Sequence, residues 1–187
     1  MKKVVKFGGS SLASAEQFKK VGAIIRSDAG RRFVVPSAPG KRFDKDTKVT
    51  DMLYACYALA AEGKDFGREL RQIEQRYQEI IDGLELKLSL EKEFSLIREN
   101  FAGKAGKDYA ASRGEYLNGI VMANYLGYEF VDAAEVIVFC EDGSFDMDKT
   151  TEVLGERLKD MKNAVIPGFY GALPDGHVIT FSRGGSD

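Results

Sequence analysis

The chain has one histidine and two cysteines among its 187 residues. His177 follows Pro174-Asp175-Gly176, a turn signal. One imidazole argues against a histidine-rich metal centre or a histidine-based triad. Cys56 and Cys140 lack Cys-x-x-Cys spacing. They read as buried reduced thiols rather than ligands or a disulfide, which suits a cytoplasmic protein. Neither sign of charge dominates: 27 basic and 29 acidic side chains leave a net charge of −2. That balance gives no reason to expect nucleic acid or an anionic membrane as partner. No apolar run approaches the length needed to span a bilayer. The first apolar run ends at Gly8, too soon for the h-region of a signal peptide. No Gly-x-x-x-x-Gly-Lys-[Ser/Thr] occurs, so a Walker A loop is excluded. Low-complexity tracts are lacking, and nothing repeats beyond two strand–Gly-Gly turns.

What is present is a composition for one soluble domain with a sizeable core, 44% hydrophobic and 11% aromatic. The organising stretch is Lys6-Phe7-Gly8-Gly9-Ser10-Ser11. Val4, Val5 and Phe7 read as a short buried strand. Gly8-Gly9 breaks it, and hydroxyl residues lead into an amphipathic helix. A strand, a glycine turn and a helix N-terminus can hold an anion through backbone N–H groups, and Lys6 could reach the same anion. The plainer alternative is a turn with no ligand.

Further along, Ser14 and Gln17 match a capping box, and Phe18, Val21 and Ile25 share a face, predicting a helix over about 14–27. Arg32 to Pro36 is a strand, with Pro36 expected at its end because it cannot donate to a ladder. It opens into Ser37-Ala38-Pro39-Gly40, at the sheet edge where ligands gather in open α/β folds. Lys41 to Lys48 looks like a mobile surface loop. Thr50-Asp51 starts a helix to about Glu62, and Thr50 reads most simply as its N-cap. Phe66, Leu70, Ile73, Tyr77 and Ile80, then Leu90, Phe94, Ile97 and Phe101, predict two helices in a hairpin with solvated outer faces. A helix follows through Ser112-Arg113-Gly114-Glu115 to about Leu126, where Glu115 reads by default as an exposed carboxylate. Phe130-Val131, Val136 to Phe139, Ala164 to Pro167 and Val178 to Phe181 read as short strands, with a helix capped by Asp146 among them. The chain ends in Ser182-Arg183-Gly184-Gly185-Ser186-Asp187, which looks like the entry to another helix. The expectation is that it is the N-terminal part of a longer protein.

Strands alternating with helices predict an α/β domain with a mostly parallel sheet. Four polar or glycine-rich loops, at Lys6 to Ser11, Ser37 to Gly40, Gly168 to Gly171 and Ser182 to Asp187, are then expected along one sheet edge.

Six segments together resemble the aspartate kinases of the amino acid kinase family. They are Val5-Lys6-Phe7-Gly8-Gly9-Ser10-Ser11, Ser37-Ala38-Pro39-Gly40, Lys48-Val49-Thr50-Asp51-Met52-Leu53, Ser112-Arg113-Gly114-Glu115, Pro167-Gly168-Phe169-Tyr170-Gly171 and Gly184-Gly185-Ser186-Asp187. They run in the family's order over essentially the whole chain. Acetylglutamate, glutamate-5, uridylate and carbamate kinases share the fold and are less similar. The resemblance implies a three-layer α/β/α sandwich of the carbamate kinase-like type, with the helical hairpin as an insertion. It implies phosphoryl transfer from ATP with Mg2+ to the β-carboxylate of L-aspartate, giving β-aspartyl phosphate for lysine, threonine and methionine biosynthesis.

By the same resemblance, Lys6 and Asp187 are the catalytic residues. Lys6, Gly8, Gly9 and Ser10 contact the phosphates. Ser37 and Thr50 hydrogen-bond the aspartate. Glu115 pairs with its α-ammonium, Arg183 with its α-carboxylate, and Ser186 helps to hold it. No protein metal ligands are assigned. Residues 1–187 would form the amino-acid-binding part of a catalytic domain. The segment for adenine and ribose and the regulatory ACT domains, through which the family dimerises, would lie beyond Asp187. The intact enzyme is then expected to be a homo-oligomer and this chain alone inactive or nearly so. The competing readings are a kinase for a glutamate- or carbamate-type acceptor and a non-catalytic amino-acid-binding fragment.

Overall fold

The structure is a computed structural model that describes residues 1–182. Strand β1, Lys3–Phe7, lies parallel to β2, Arg31–Pro36, with Val5 opposite Val34 and Phe7 opposite Pro36. Pro36 stands at the end of β2, as its missing N–H requires. Between the strands come a 3-10 turn, Gly9–Leu12, and helix α1, Ala15–Arg26. The Ser14 hydroxyl accepts from the Gln17 N–H at 3.4 Å, and Phe18, Val21 and Ile25 are buried, as the spacing predicts. The glycine turn therefore leads into a 3-10 turn, and α1 begins several residues later behind its own cap.

Helix α2, Val49–Ala61, starts from Lys48. Thr50 thus sits inside the first turn and is not the N-cap. Helices α3, Gly67–Gly83, and α4, Glu91–Ala102, form the expected hairpin. Phe101 of α4 meets Tyr57 of α2 edge-on, with ring centroids 5.4 Å apart, and Tyr77 of α3 packs against Phe94 with tilted rings, centroids 6.2 Å apart. The outer faces are not all solvated, because Arg76 of α3 is 4% exposed. Helix α5, Lys107–Leu126, has no polar face: Ala110, Gly114, Leu117, Val121 and Met122 are buried, and so are Ser112, Arg113, Glu115 and Asn118. It is a central helix wrapped by its neighbours.

Strand β3, Glu129–Phe130, is followed by one helical turn, α6, Ala133–Val136. The Asp132 carboxylate accepts from the Ala134 N–H at 3.0 Å and starts that turn. The strand expected at 136–139 is therefore replaced: Val136 ends α6, and Val138 and Phe139 make isolated bridges only. Helix α7, Met147–Leu158, is capped by Asp146, which accepts from the Lys149 N–H at 2.8 Å. Strand β4, Ala164–Val165, precedes an antiparallel hairpin of β5, Tyr170–Ala172, and β6, Val178–Thr180.

Four strands form one parallel sheet in the order β1-β2-β4-β3. Alternation along the strands divides the core. Val34 and Val165 join the large cluster with α1 to α5, whereas Phe33, Ala164 and Ile166 pack with α6, α7 and the hairpin. The result is three layers, as expected. Two details differ from expectation. Among the described residues β1 is an edge strand, and Val4 is 70% exposed rather than buried. Strand β6 belongs to the hairpin and not to the parallel sheet, and the loop expected at Ser182 to Asp187 lies, beyond Ser182, outside the described residues.

Candidate functional site

The loops leaving β1 and β2 interlock. The Ser37 N–H donates to the Phe7 carbonyl at 3.0 Å, and the Gly40 N–H to the Gly9 carbonyl at 2.8 Å. A Cβ on Gly9 would stand 2.7 Å from the Ala38 carbonyl oxygen, and one on Gly40 2.6 Å from the Gly9 carbonyl carbon. Both obstructions are backbone, so only glycine permits this approach. Helix α5 lies against the same loop. Asn118 Nδ2 donates to the Ser37 carbonyl at 2.6 Å, and a Cβ on Gly114 would come within 2.7 Å of Ala38 Cβ. From α3, the Tyr77 hydroxyl donates to the Gly114 carbonyl at 2.7 Å. The Val49 N–H donates to the Pro39 carbonyl at 3.1 Å, tying in the start of α2.

These elements enclose a cleft of about 490 Å3 lined by Gly9, Ser10, Ser37, Ala38, Pro39, Gly40, Lys41, Lys48, Thr50 and Glu115. Glu115 is 7% exposed, against the default expectation of an exposed carboxylate. Desolvation pushes its pKa from the usual 4.5 up to about 7, opposed by a backbone hydrogen bond at Ala38. Its Oε2 has no hydrogen-bond partner among the described residues. A buried acceptor of this kind is costly until a donor or a cation meets it.

The structure brings Gly9, Ser10, Ser37, Thr50 and Glu115 to one cleft. Lys6 stands exposed near the end of β1, opposite Val35, outside the cleft lining. Gly8 has extended backbone angles and nothing within 4 Å of the place a Cβ would occupy, so the chain's own packing does not require glycine there. Arg183, Ser186 and Asp187 lie outside the described residues. After β4, Phe169 adopts φ +77, rare for a bulky side chain, with its carbonyl accepting from the Phe181 N–H at 2.9 Å. Among the described residues no group of three or more His, Cys, Asp or Glu is placed to hold a metal, and no helix is long and apolar enough to cross a membrane.

Sequence reasoning missed Lys41, Lys48, Asn118 and Arg76. Lys41 and Lys48 line the cleft from a segment that reads as surface loop. Asn118 lies one turn after Glu115 on a helix whose apolar residues leave no separate polar face, where a polar side chain is buried and needs a partner. The 41–48 segment is not a loose loop, because the Asp46 side chain, 9% exposed, pairs with two guanidinium groups.

Aspartokinase 3 of Bacillus subtilis (strain 168) is 38% identical over 200 residues, covering 99% of this chain and 44% of that protein. The crystal structure of Clostridium acetobutylicum aspartate kinase matches with a TM-score of 0.95 at 51% identity, over 100% of this chain and 43% of the other. E. coli aspartokinase III, in complex with aspartate and ADP, shares the fold with a TM-score of 0.78 at 24% identity, over 99% of this chain and 44% of the other. The chain thus spans less than half the length of these relatives. The pattern of the amino acid kinase family matches residues 1–187, and the chain belongs to that family.

Proposed function

We propose that this chain is the amino-acid-binding part of an aspartate kinase catalytic domain, acting in phosphoryl transfer from ATP to the β-carboxylate of L-aspartate. The observation that carries the reading is Glu115, a buried carboxylate with an open oxygen in a cleft lined by three hydroxyls and a glycine turn. An α-ammonium supplies the charge and donors that this oxygen lacks. The likeness to aspartate kinases at 38% and 51% identity supports aspartate as the acceptor.

In this reading Glu115 orients the amino end of the substrate, and Ser37 and Thr50 hydrogen-bond it. Arg183 takes the α-carboxylate in a bidentate pair, with Ser186 beside it. The substrate's β-carboxylate is ionised at neutral pH, so the attack on the γ-phosphorus needs no general base. What the reaction needs is alignment and charge neutralisation. Gly8, Gly9 and Ser10 face the phosphates with backbone and hydroxyl donors, and the open space at Gly8 suits their approach. Lys6 neutralises charge on the transferring group, and Asp187 orients Lys6. Magnesium arrives with the nucleotide, and this reading assigns it no ligand from the described residues. In this reading the nucleotide's base and ribose are held outside residues 1–187.

Calorimetric titration of L-aspartate into the chain, with L-glutamate as control, tests the proposal. Selective uptake of L-aspartate is expected. A folded chain that takes up neither, or prefers L-glutamate, contradicts it.

A further inference from the structure

We infer that Arg76 is a positioning residue of the cleft: from the helical hairpin it holds the loop that joins β2 to α2. This rests on the reading of the cleft as the amino-acid site. Arg76 Nη2 donates to the Gly40 carbonyl at 2.6 Å. Its Nη1 lies 2.9 Å from Asp46 Oδ2 and 3.4 Å from the Thr47 carbonyl. These acceptors stand at the two ends of one segment, so a single guanidinium fixes both. The fixed fork of arginine can serve them together, which one lysine ammonium cannot.

Gly40 passes the constraint on. Its carbonyl is held by Arg76, and its N–H donates to the Gly9 carbonyl in the glycine turn. At the other end, Thr47 leads through Lys48 into α2, where Thr50 lines the cleft. The two cleft-lining lysines, Lys41 and Lys48, lie within or beside the bracketed segment. Arg42 completes the clamp. Its Nε reaches Asp46 Oδ2 at 2.8 Å and its Nη1 reaches Glu79 Oε2 at 2.9 Å, one turn beyond Arg76 on α3. Without Arg76 the segment loses its grip at the Gly40 and Thr47 carbonyls and keeps the Arg42 pairs and the Val49–Pro39 hydrogen bond. A ligand would then have to order the loop as it bound, and affinity would fall by that ordering cost.

A purely structural ion pair would also sit buried here, so the test separates the two roles. Arg76→Met, Arg76→Lys and Asp46→Asn are compared with wild type. The readouts are amide hydrogen exchange over 41–48, L-aspartate titration and the unfolding midpoint. For Arg76→Met, exchange over 41–48 should rise about tenfold while β1 and α5 keep theirs, and L-aspartate affinity should fall about tenfold. Arg76→Lys keeps the charge beside Asp46 but not the grip on Gly40. It should recover most of the unfolding midpoint while loop exchange and affinity stay impaired. If Arg76→Lys restores all three together, or a folded Arg76→Met shows wild-type exchange over 41–48, the inference fails. If Arg76→Met does not fold, Arg76→Lys and Asp46→Asn decide. If wild type takes up no L-aspartate, the amino-acid-site reading fails, and the exchange measurement, which needs no ligand, still decides on the tether.

Discussion

Glu115 concentrates the chemistry of the cleft in one side chain. Burial moves its pKa from 4.5 to about 7, so between these values the folded chain holds a proton that the unfolded chain has released. Stability must therefore fall as pH rises through that window, by about 3 kcal/mol in all. Glu115→Gln should abolish this dependence and exceed wild type in stability at pH 8, read from urea midpoints across pH. A wild-type profile with no Glu115-dependent fall would contradict the burial argument. The same proton competes with the ligand. An α-ammonium needs the carboxylate ionised, so L-aspartate affinity should weaken about tenfold per pH unit below about pH 7. Calorimetry at pH 6 in buffers of different ionisation enthalpy should detect proton release on binding. Glu115→Gln should lower the affinity about a hundredfold or more and remove the proton release.

At the scale of elements, α5 works as a gauge block between the hairpin and the loops. Gly114 lets it lie against Ala38, while Tyr77 grips the Gly114 carbonyl from the other side. Gly114→Ala puts a methyl 2.7 Å from Ala38 Cβ and must push the helix or the loop aside. The expected cost is about 1–3 kcal/mol of stability together with weaker L-aspartate binding, because Ser37 and Glu115 move apart. Tyr77→Phe leaves the cleft wall in place and removes one buried hydrogen bond, so it should cost about 1 kcal/mol with little change in affinity. Urea unfolding paired with titration separates the two. Equal effects on binding would show that the fit of α5 against Ala38 does not set the cleft.

At the scale of the whole molecule, the second face of the sheet is only partly covered. A groove of about 360 Å3 runs beside the open edge of β1, lined by apolar residues that include Val4, Phe33, Val35, Phe145 and Phe181. An edge strand with no further partner among the described residues, beside apolar surface, invites pairing with a second copy. Sedimentation should show concentration-dependent self-association of this chain, reduced by Val4→Lys. A monomer at high concentration would refute this. Catalysis is a property of the whole as well. With MgATP and L-aspartate the chain alone should form no ADP above background, and turnover comparable to a full-length aspartate kinase would overturn that expectation.

The sequence by itself determined the elements and the family. Helix periodicity, the caps at Ser14 and Asp146, and the position of Pro36 depend on neighbours within a few residues, so they are legible without a fold. The spread of glycine, hydroxyl and charged segments sufficed to name the family. Tertiary structure decided what depends on distant partners. It turned Val136 to Phe139 away from the parallel sheet, because Asp132 starts a helical turn, and it paired β6 antiparallel with β5. It left β1 on an edge and brought Gly9, Ser10, Ser37, Thr50 and Glu115 to one cleft. It also made Glu115 and Arg76 buried groups with shifted or shared charge. Local pattern specifies which face a residue occupies, but only packing specifies how much water that face keeps, and water sets the energy of a charge.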